Sequence, residues 1–354
     1  MSVQIKITKT THSKLNEVDF NNIPFGKTFT DHMFEADYIN GEWQNAQIKP
    51  LTEIPVHPGN MAWHYGQAIF EGMKATRDEA GNALLFRPKE HSIRFNKSAE
   101  RLSMPHVPED LFLDAIHTLV DLEKAWIPPQ TGSAMYIRPF MISFDHTIGV
   151  KPSDTYKFMV FVLPVGPYYS QPVKLMAFPE YVRAVVGGVG EVKAAGNYAA
   201  SLFPAAMAKK EGYDQVMWLD GIHHKFIQEV GTMNIFFVIG DDIITPNLDG
   251  AILKGITRDS AIKILKSKGH NVIEKPISID EIIEASNSGR LKEVFGTGTA
   301  AVVAQVATIK YNDVIMNLDT SHVPVSTMVK DTINGLRNRT VEDTFGWIVP
   351  AKGV

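Results

Sequence analysis

The order of apolar and polar residues predicts that strands and helices are mixed along the chain. Asn-Gly at 40–41 separates two half-apolar runs, which is typical of a type I′ hairpin because both central residues need a positive φ. Apolar side chains recur at helical spacing over 112–126, and the Pro-Pro pair at 128–129 ends that helix. The apolar runs AMYIRPFMIS (134–143) and KFMVFVLPV (157–165) indicate buried strands.

The second half of the chain shows the same mixture after a Gly-rich turn at 187–190. Because strands and helices do not alternate as regular βαβ units, we predict an α+β (mixed α/β) fold rather than a Rossmann fold. Helices are predicted over 196–212, over 257–268 and after the capping box Ser278-x-x-Glu281, and strands over 214–220 and 234–240, with a hairpin through Gly221.

The segment GPYYSQP, residues 166–172, is the predicted interdomain loop, because it contains turn formers and tyrosines but no periodicity. It separates an N-terminal α/β domain, 1–165, from a C-terminal domain, 173–354. A length of 354 residues also favours two domains.

The composition favours small-molecule chemistry. Lys plus Arg (35) nearly balance Asp plus Glu (39), and a net charge of -4 provides no general attraction for nucleic acid or for a membrane surface. The absence of cysteine excludes disulfides, thiolate catalysis and Cys-ligated metals, and no metal site is predicted. The N-terminal residues show no secretory signal, so we expect a cytoplasmic location.

Lys193 lies in GGVGEVKAAGNYAAS, between glycines and other small residues. Small neighbours let a bulky ligand approach, and a lysine among apolar groups is able to attack a carbonyl as the free amine. A lysine beside a loop is more often a solvated surface residue, so Lys193 alone does not establish a function.

Other candidate groups accompany this lysine. Tyr198 follows five residues later, and Glu229 lies in FIQEVGTMN. An amine, a phenol and a carboxylate are together the protein contacts that pyridoxal phosphate needs to act as an electron sink. Arg94 and the donor-rich loops 255–257 and 296–300 could bind its phosphate, since the first loop opens a predicted helix whose N-terminus favours anions.

Seven ordered segments resemble the class IV pyridoxal-phosphate aminotransferases, and among them most closely the branched-chain amino acid aminotransferases. The resemblance spans nearly the whole chain and implies a two-domain, fold type IV, D-amino-acid aminotransferase-like enzyme with the cofactor at the domain interface. The segments are FTDHMF, HPGNMAWHYGQAIFEGMKA, MYIRP, the Lys193 turn, EVGTMN, GITRDSA and FGTGTAAV.

The resemblance also implies roles for individual residues. Lys193 would form a reversible carbon–nitrogen link with the cofactor and move the substrate proton, while Glu229 would pair with the ring nitrogen and Tyr198 with the ring oxygen. Arg94, Thr232, Ile256, Thr257 and Thr299 complete the cofactor site.

The substrate site implied by the resemblance would hold Leu, Ile or Val in one half-reaction, and glutamate or 2-oxoglutarate in the other. Tyr136 and the amides at Thr299 and Ala300 would bind the α-carboxylate, and Arg138 the distal carboxylate. Phe25, Tyr65, Phe70 and Tyr168 would form the walls, with Val150 contributed by the other subunit of a homodimer.

Three alternatives remain open at this point. Residues 296–301 fit the dinucleotide-binding pattern G-x-G-x-x-A, although the β-branched run that follows favours a strand over the required helix. A non-catalytic binding module is disfavoured by the intact set of candidate groups. Within the same fold, D-amino-acid aminotransferase or aminodeoxychorismate lyase activity is a further alternative.

Overall fold

The computed structural model describes residues 4–353, which form two compact units. Unit 1 comprises the chain up to Tyr168, Val192–Gly196 and the chain from Asn334 onward, and unit 2 comprises Tyr169–Glu191 and Asn197–Ile333. The strands are β1 (Lys6–Ile7), β2 (His32–Ile39), β3 (Glu42–Pro50), β4 (Ala68–Phe70), β5 (Met73–Arg77), β6 (Ala83–Phe86), β7 (Ala134–Ser143), β8 (Tyr156–Val165), β9 (Val173–Ala177), β10 (Gln215–Leu219), β11 (Ile227–Val230), β12 (Asn234–Ile239), β13 (Asp242–Thr245), β14 (Asn271–Glu274), β15 (Leu291–Gly298), β16 (Val302–Tyr311), β17 (Val314–Asn317) and β18 (Ile348–Pro350). The helices are α1 (Met61–Tyr65), α2 (Pro88–Arg101), α3 (Glu109–Leu122), α4 (Ala195–Ala200), α5 (Leu202–Lys210), α6 (Ile256–Ser267), α7 (Ile279–Asn287) and α8 (Pro324–Arg337).

Unit 1 is built on a sheet in the order β1-β3-β2-β8-β7-β5-β6-β18, with β4 paired to β7. The predicted hairpin at 40–41 is confirmed, since Asn40 and Gly41 have φ values of 55° and 84° between β2 and β3. Phe95 of α2 and Phe112 of α3 pack their rings on Phe158 of β8, at centroid distances of 5.5 and 5.8 Å. Burial of these aromatic faces fixes both helices on the sheet.

Unit 2 is built on a second sheet, in the order β11-β10-β9-β16-β15-β12-β13-β14, with β17 paired to β16. The predicted capping box is confirmed, because Ser278 and Glu281 exchange both hydrogen bonds at the start of α7. The rings of Phe236 and Phe295 stack 5.1 Å apart on adjacent strands β12 and β15. Parallel and antiparallel pairs occur in both sheets, which confirms the mixed fold class.

The helix predicted over 196–212 is interrupted, and α4 ends at Ala200 before α5 begins at Leu202. Pro204 explains the break, because a proline ring clashes with the carbonyl four residues earlier, here that of Ala200.

The division into units differs from the predicted domain boundaries. The chain leaves unit 1 at Tyr168, within the predicted loop, but Val192–Gly196 and the C-terminal residues belong to unit 1. Ala194 forms an isolated bridge with Ile69, and β18 pairs with β6. Lys193 is therefore a residue of unit 1, while the segments on either side of its turn belong to unit 2.

Candidate active site

The backbone of Lys193 is held on both sides within unit 1. Its amide donates to Ser98 Oγ in α2 at 3.0 Å, and its carbonyl accepts from the Phe70 amide at the end of β4 at 3.1 Å. Lys193 Nζ lies 4.9 Å from the centre of the Phe70 ring. The amine is therefore placed against an aromatic face by two fixed elements.

Tyr136 and Arg138 project from the same face of β7, since alternate residues of a strand share a face. Arg138 Nη2 donates to Tyr136 Oη at 3.0 Å, and the guanidinium lies 4.7 Å from the Phe70 ring centre. Gly72 leaves room for the phenol, because a Cβ at that position would lie 2.2 Å from Tyr136 Oη. The strand thus brings the Arg138 guanidinium to the ring that also faces Lys193, with the Tyr136 phenol bonded to that guanidinium.

Further aromatic rings extend this group. Phe25 contacts Tyr136 and Tyr168 edge to face, at centroid distances of 5.7 and 5.3 Å. Burial raises the pKa of Tyr168, and the neighbouring Tyr136 adds to the shift, so the phenol stays neutral near pH 7. Six predicted site residues form one chain of contacts in unit 1: Phe25, Phe70, Tyr136, Arg138, Tyr168 and Lys193.

Two predicted pocket residues lie outside these contacts. Tyr65 is the last residue of α1 and is 42% exposed, and its ring lies beside the ring of His64. Val150 lies in the loop after β7 and is 89% exposed.

Arg94 is buried in α2 and is paired with an acid that the sequence analysis did not identify. Glu71 is 0% exposed, and its carboxylate accepts hydrogen bonds from Arg94 Nε at 2.7 Å and from Arg94 Nη2 at 2.8 Å. Burial alone would raise the pKa of Glu71, but Arg94 and then His91 hold that pKa well below its ordinary value. Glu71 is therefore a carboxylate, and Arg94 is held rigidly by it.

In unit 2, Glu229 lies in β11 and is 4% exposed. Its carboxylate forms an ion pair with Arg183 and accepts a hydrogen bond from Asn234 Nδ2 at 3.1 Å. Arg183 also donates from Nη2 to the carbonyls of Gly190 and Ala251, at 3.0 and 2.7 Å. A buried carboxylate needs such partners, because an unpaired charge would be too costly.

Asn234 joins the surroundings of Glu229 to the N-terminus of α6. It pairs in register with Thr297 of β15, and a Cβ on Gly255 would lie 1.9 Å from Asn234 Oδ1. Gly255 is the N-cap of α6 and has no side chain of its own to cap the first turn, in which Ile256 and Thr257 are buried. A helix N-terminus of this kind is suited to a phosphate group.

The remaining predicted residues of unit 2 lie in turns or short helices. Thr232 is exposed in the turn between β11 and β12, and Tyr198 lies half-buried in α4. Thr299 and Ala300 are half-buried in the turn between β15 and β16. Thr297 Oγ1, two residues before that turn, is buried and has no hydrogen-bond partner within residues 4–353.

These groups fit pyridoxal phosphate in their chemistry. Unit 1 supplies an amine, a guanidinium and phenols. Unit 2 supplies a buried carboxylate beside a helix N-terminus, and a threonine hydroxyl without a partner among the described residues. An amine suits the cofactor aldehyde, a carboxylate its ring nitrogen, and a guanidinium or helix N-terminus its phosphate.

Within the described part of the chain, no helix combines the length and apolarity needed to cross a membrane.

Glu71 and Arg183 are the residues that sequence reasoning missed. Glu71 lies between Phe70 and Gly72, and only its apolar flanks signalled that its charge would be buried. Arg183 lies in a loop with no periodic pattern, so nothing in the sequence indicated its partner.

Comparisons with known proteins agree with this set of groups. Residues 68–309 match the family model "Amino-transferase class IV". Branched-chain-amino-acid aminotransferase 2 and branched-chain-amino-acid transaminase 1 of Bacillus subtilis (strain 168) are 43% and 45% identical, over 98% and 99% of this chain and 96% and 99% of theirs. This chain also resembles the solved structure of the branched-chain amino acid aminotransferase from Escherichia coli. The TM-score is 0.73 and the sequence identity is 27%, and the match covers 91% of this chain and 99% of that one.

The chain belongs to the class IV aminotransferase family, and within it to the branched-chain amino acid aminotransferases. The resemblance found from the sequence is thereby confirmed. The dinucleotide-binding alternative is wrong, because residues 296–301 lead into strand β16 rather than into the helix that such a fingerprint requires.

Proposed function

We propose that the protein is a pyridoxal-phosphate-dependent aminotransferase that exchanges amino groups between Leu, Ile or Val and 2-oxoglutarate. The observation that carries the proposal is the position of Lys193, whose amine lies over the ring of Phe70, the same ring that the Arg138 guanidinium contacts while donating to Tyr136. When bound, the cofactor supplies a reactive aldehyde and a ring that accepts electrons.

The residues of unit 1 would hold the cofactor and the substrate. Lys193 would bind the aldehyde carbon through Nζ and later hold the proton that leaves the substrate α-carbon. Arg94 would bind the phosphate. Tyr136 would bind the α-carboxylate, and Phe25, Tyr65, Phe70 and Tyr168 would form an apolar wall, with Val150 contributed to the partner subunit's pocket.

The residues of unit 2 would hold the ring and the phosphate. Glu229 would keep a proton on the ring nitrogen, and Tyr198 would donate to the ring oxygen. Ile256 and Thr257 would donate amides to the phosphate, with Thr232 and Thr299 nearby, and the Thr299 and Ala300 amides would also receive the substrate carboxylate.

A homodimer in the cytoplasm is part of the proposal. Apolar side chains of unit 1 are exposed, Trp63 to 61% and Ile148 to 63%, in the same segments as Tyr65 and Val150. A second subunit would cover such a surface, since large exposed apolar patches mark interaction sites.

The function is tested by substrate conversion. With the cofactor bound, the protein should absorb in the visible range, lose that band on addition of L-leucine, and regain it with 2-oxoglutarate while glutamate is formed. Turnover with D-alanine but none with L-leucine would favour the D-amino-acid alternative. A protein that binds the cofactor and converts no amino acid would support a non-catalytic module.

Arg138→Ala is expected to separate the two half-reactions. The guanidinium is the cation beside Tyr136, and its Nε has no hydrogen-bond partner within residues 4–353, so it is suited to the distal carboxylate of 2-oxoglutarate. We expect kcat/KM for 2-oxoglutarate to fall about 10²-fold, as for loss of one member of a buried charge pair, and the leucine value to fall much less.

The measurement is single-turnover absorbance for each half-reaction, with the exposed Arg290→Ala as the matched control. Equal losses for leucine and 2-oxoglutarate would contradict this role of Arg138.

A further inference from the structure

Glu71 is surrounded by donors in the interior of unit 1. Besides the two hydrogen bonds from Arg94, its Oε2 atom accepts hydrogen bonds from His91 Nδ1 at 2.8 Å and from the Gly72 amide at 3.2 Å. The Glu71 amide donates to the Pro139 carbonyl at 2.7 Å, so the backbone of this residue is also fixed. Every one of these contacts lies within one compact unit.

The contact between Glu71 and Arg94 fixes an orientation as well as a charge. The guanidinium is planar, and a two-bond contact through Nε and Nη2 sets both its plane and its direction. The edge that carries Nη1 therefore points away from Glu71. A lysine at position 94 would preserve the charge but not this geometry.

The same contacts connect Arg94 to the turn of Lys193. His91 and Arg94 lie three residues apart on α2, and neighbours at this spacing share a helix face. One turn later, Ser98 Oγ donates to the Arg94 carbonyl at 3.1 Å and accepts the Lys193 amide. Glu71 directly follows Phe70, whose amide bonds the Lys193 carbonyl. The guanidinium and the amine are thus placed by one rigid group of residues.

We propose that Glu71, supported by His91, is a positioning residue that aims the Arg94 guanidinium at the 5'-phosphate and so sets the preference of the enzyme for phosphorylated over unphosphorylated cofactor. This proposal rests on the proposed function, because it presumes that Arg94 binds the phosphate. Glu71 does not itself touch the phosphate in this account and acts through Arg94.

The direction of the effect distinguishes positioning from charge. Glu71 neutralises Arg94, so its removal would strengthen phosphate binding if net charge alone mattered. The variant Glu71→Gln has nearly the same shape, but its amide group presents N–H groups toward the donors of Arg94 and His91. If orientation matters, the phosphate preference falls despite the added positive charge.

The experiment compares dissociation constants for pyridoxal 5'-phosphate and pyridoxal, measured by titration of the full-length apoprotein. The ratio of the two constants isolates the phosphate contribution, whereas a general loss of structure weakens both ligands. We expect Glu71→Gln to lower the preference for the phosphorylated ligand about 10- to 100-fold, the range for a hydrogen bond to a charged group. An unchanged or higher preference would overturn the proposal.

Further variants keep the test decisive if Glu71→Gln fails to fold. Arg94→Lys should lower the preference although the charge is retained, and an unchanged preference would contradict an orienting role. In an Arg94→Ala background, Glu71→Gln should cause no further loss, and an additional loss would show that Glu71 acts by another route. The control Glu90→Gln, on the same helix with a side chain 41% exposed, should leave the preference unchanged.

These outcomes separate the present proposal from the proposed function. If Arg94→Ala lowers the preference and Glu71→Gln does not, only the positioning role fails. If the wild-type protein binds neither ligand, the proposed function itself fails.

Discussion

Lys193→Ala is expected to abolish the visible absorption of the cofactor-loaded protein and nearly all transamination. The side chain supplies the amine that would bind the aldehyde and hold the substrate proton, and Phe70 and Ser98 fix the backbone that carries it. Loss of a positioned proton carrier alone costs about 10²- to 10⁴-fold in rate, so we expect at least that decrease in kcat. The measurement combines absorbance spectra with steady-state turnover of L-leucine.

The control for this variant is Lys209→Ala, because Lys209 is exposed near the end of α5. Both substitutions remove one lysine, but only the first should change the spectrum. A Lys193→Ala protein that keeps the visible band and wild-type turnover would remove Lys193 from the mechanism.

Glu229→Gln is expected to retain the cofactor and lose most of kcat. A carboxylate stabilises a proton on the ring nitrogen, whereas an amide does not, so the ring becomes a poor electron acceptor. Removal of one group that stabilises developing charge costs about 10²- to 10³-fold in kcat, and we expect a loss of that order. Arg183, which forms the ion pair with Glu229, would be left beside a neutral group.

The measurement is kcat with L-leucine together with the cofactor dissociation constant. Glu211→Gln is the matched control, since Glu211 is 55% exposed and lies after α5. Undiminished turnover in Glu229→Gln would exclude the role of Glu229, and loss of the cofactor would show that the carboxylate is needed for binding instead.

Local patterns in the sequence predicted the elements of the fold well. The runs at 134–143 and 157–165 correspond to β7 and β8, and the helix predicted over 257–268 corresponds to α6. Each of these depends on neighbours in the chain, namely periodicity and caps. The break between α4 and α5 was also encoded locally, by Pro204.

Long-range pairings were not predictable from such patterns. The pairing of β18 with β6 and the bridge between Ala194 and Ile69 return distant segments to unit 1, and no local rule specifies a partner more than 100 residues away. The buried pair of Glu71 and Arg94 was missed for the same reason, because a charged residue is expected to be exposed unless a partner for its charge is known.

The candidate site was predicted mainly through its resemblance to a family. A lysine between small residues, a tyrosine and a glutamate suggested the cofactor, but their roles came from seven ordered segments. The structure then showed which residues lie together within each unit, such as Phe70 with Arg138 and Lys193.

Reduction of the cofactor-loaded protein with borohydride, followed by peptide mass mapping, tests the central claim most directly. The reagent converts a reversible carbon–nitrogen link into a permanent one and marks the lysine that carries it. We predict a single phosphopyridoxyl group on the peptide that contains Lys193, and none on this peptide when L-leucine is added before reduction. A modified lysine elsewhere in the chain, or no modification at all, would contradict the account.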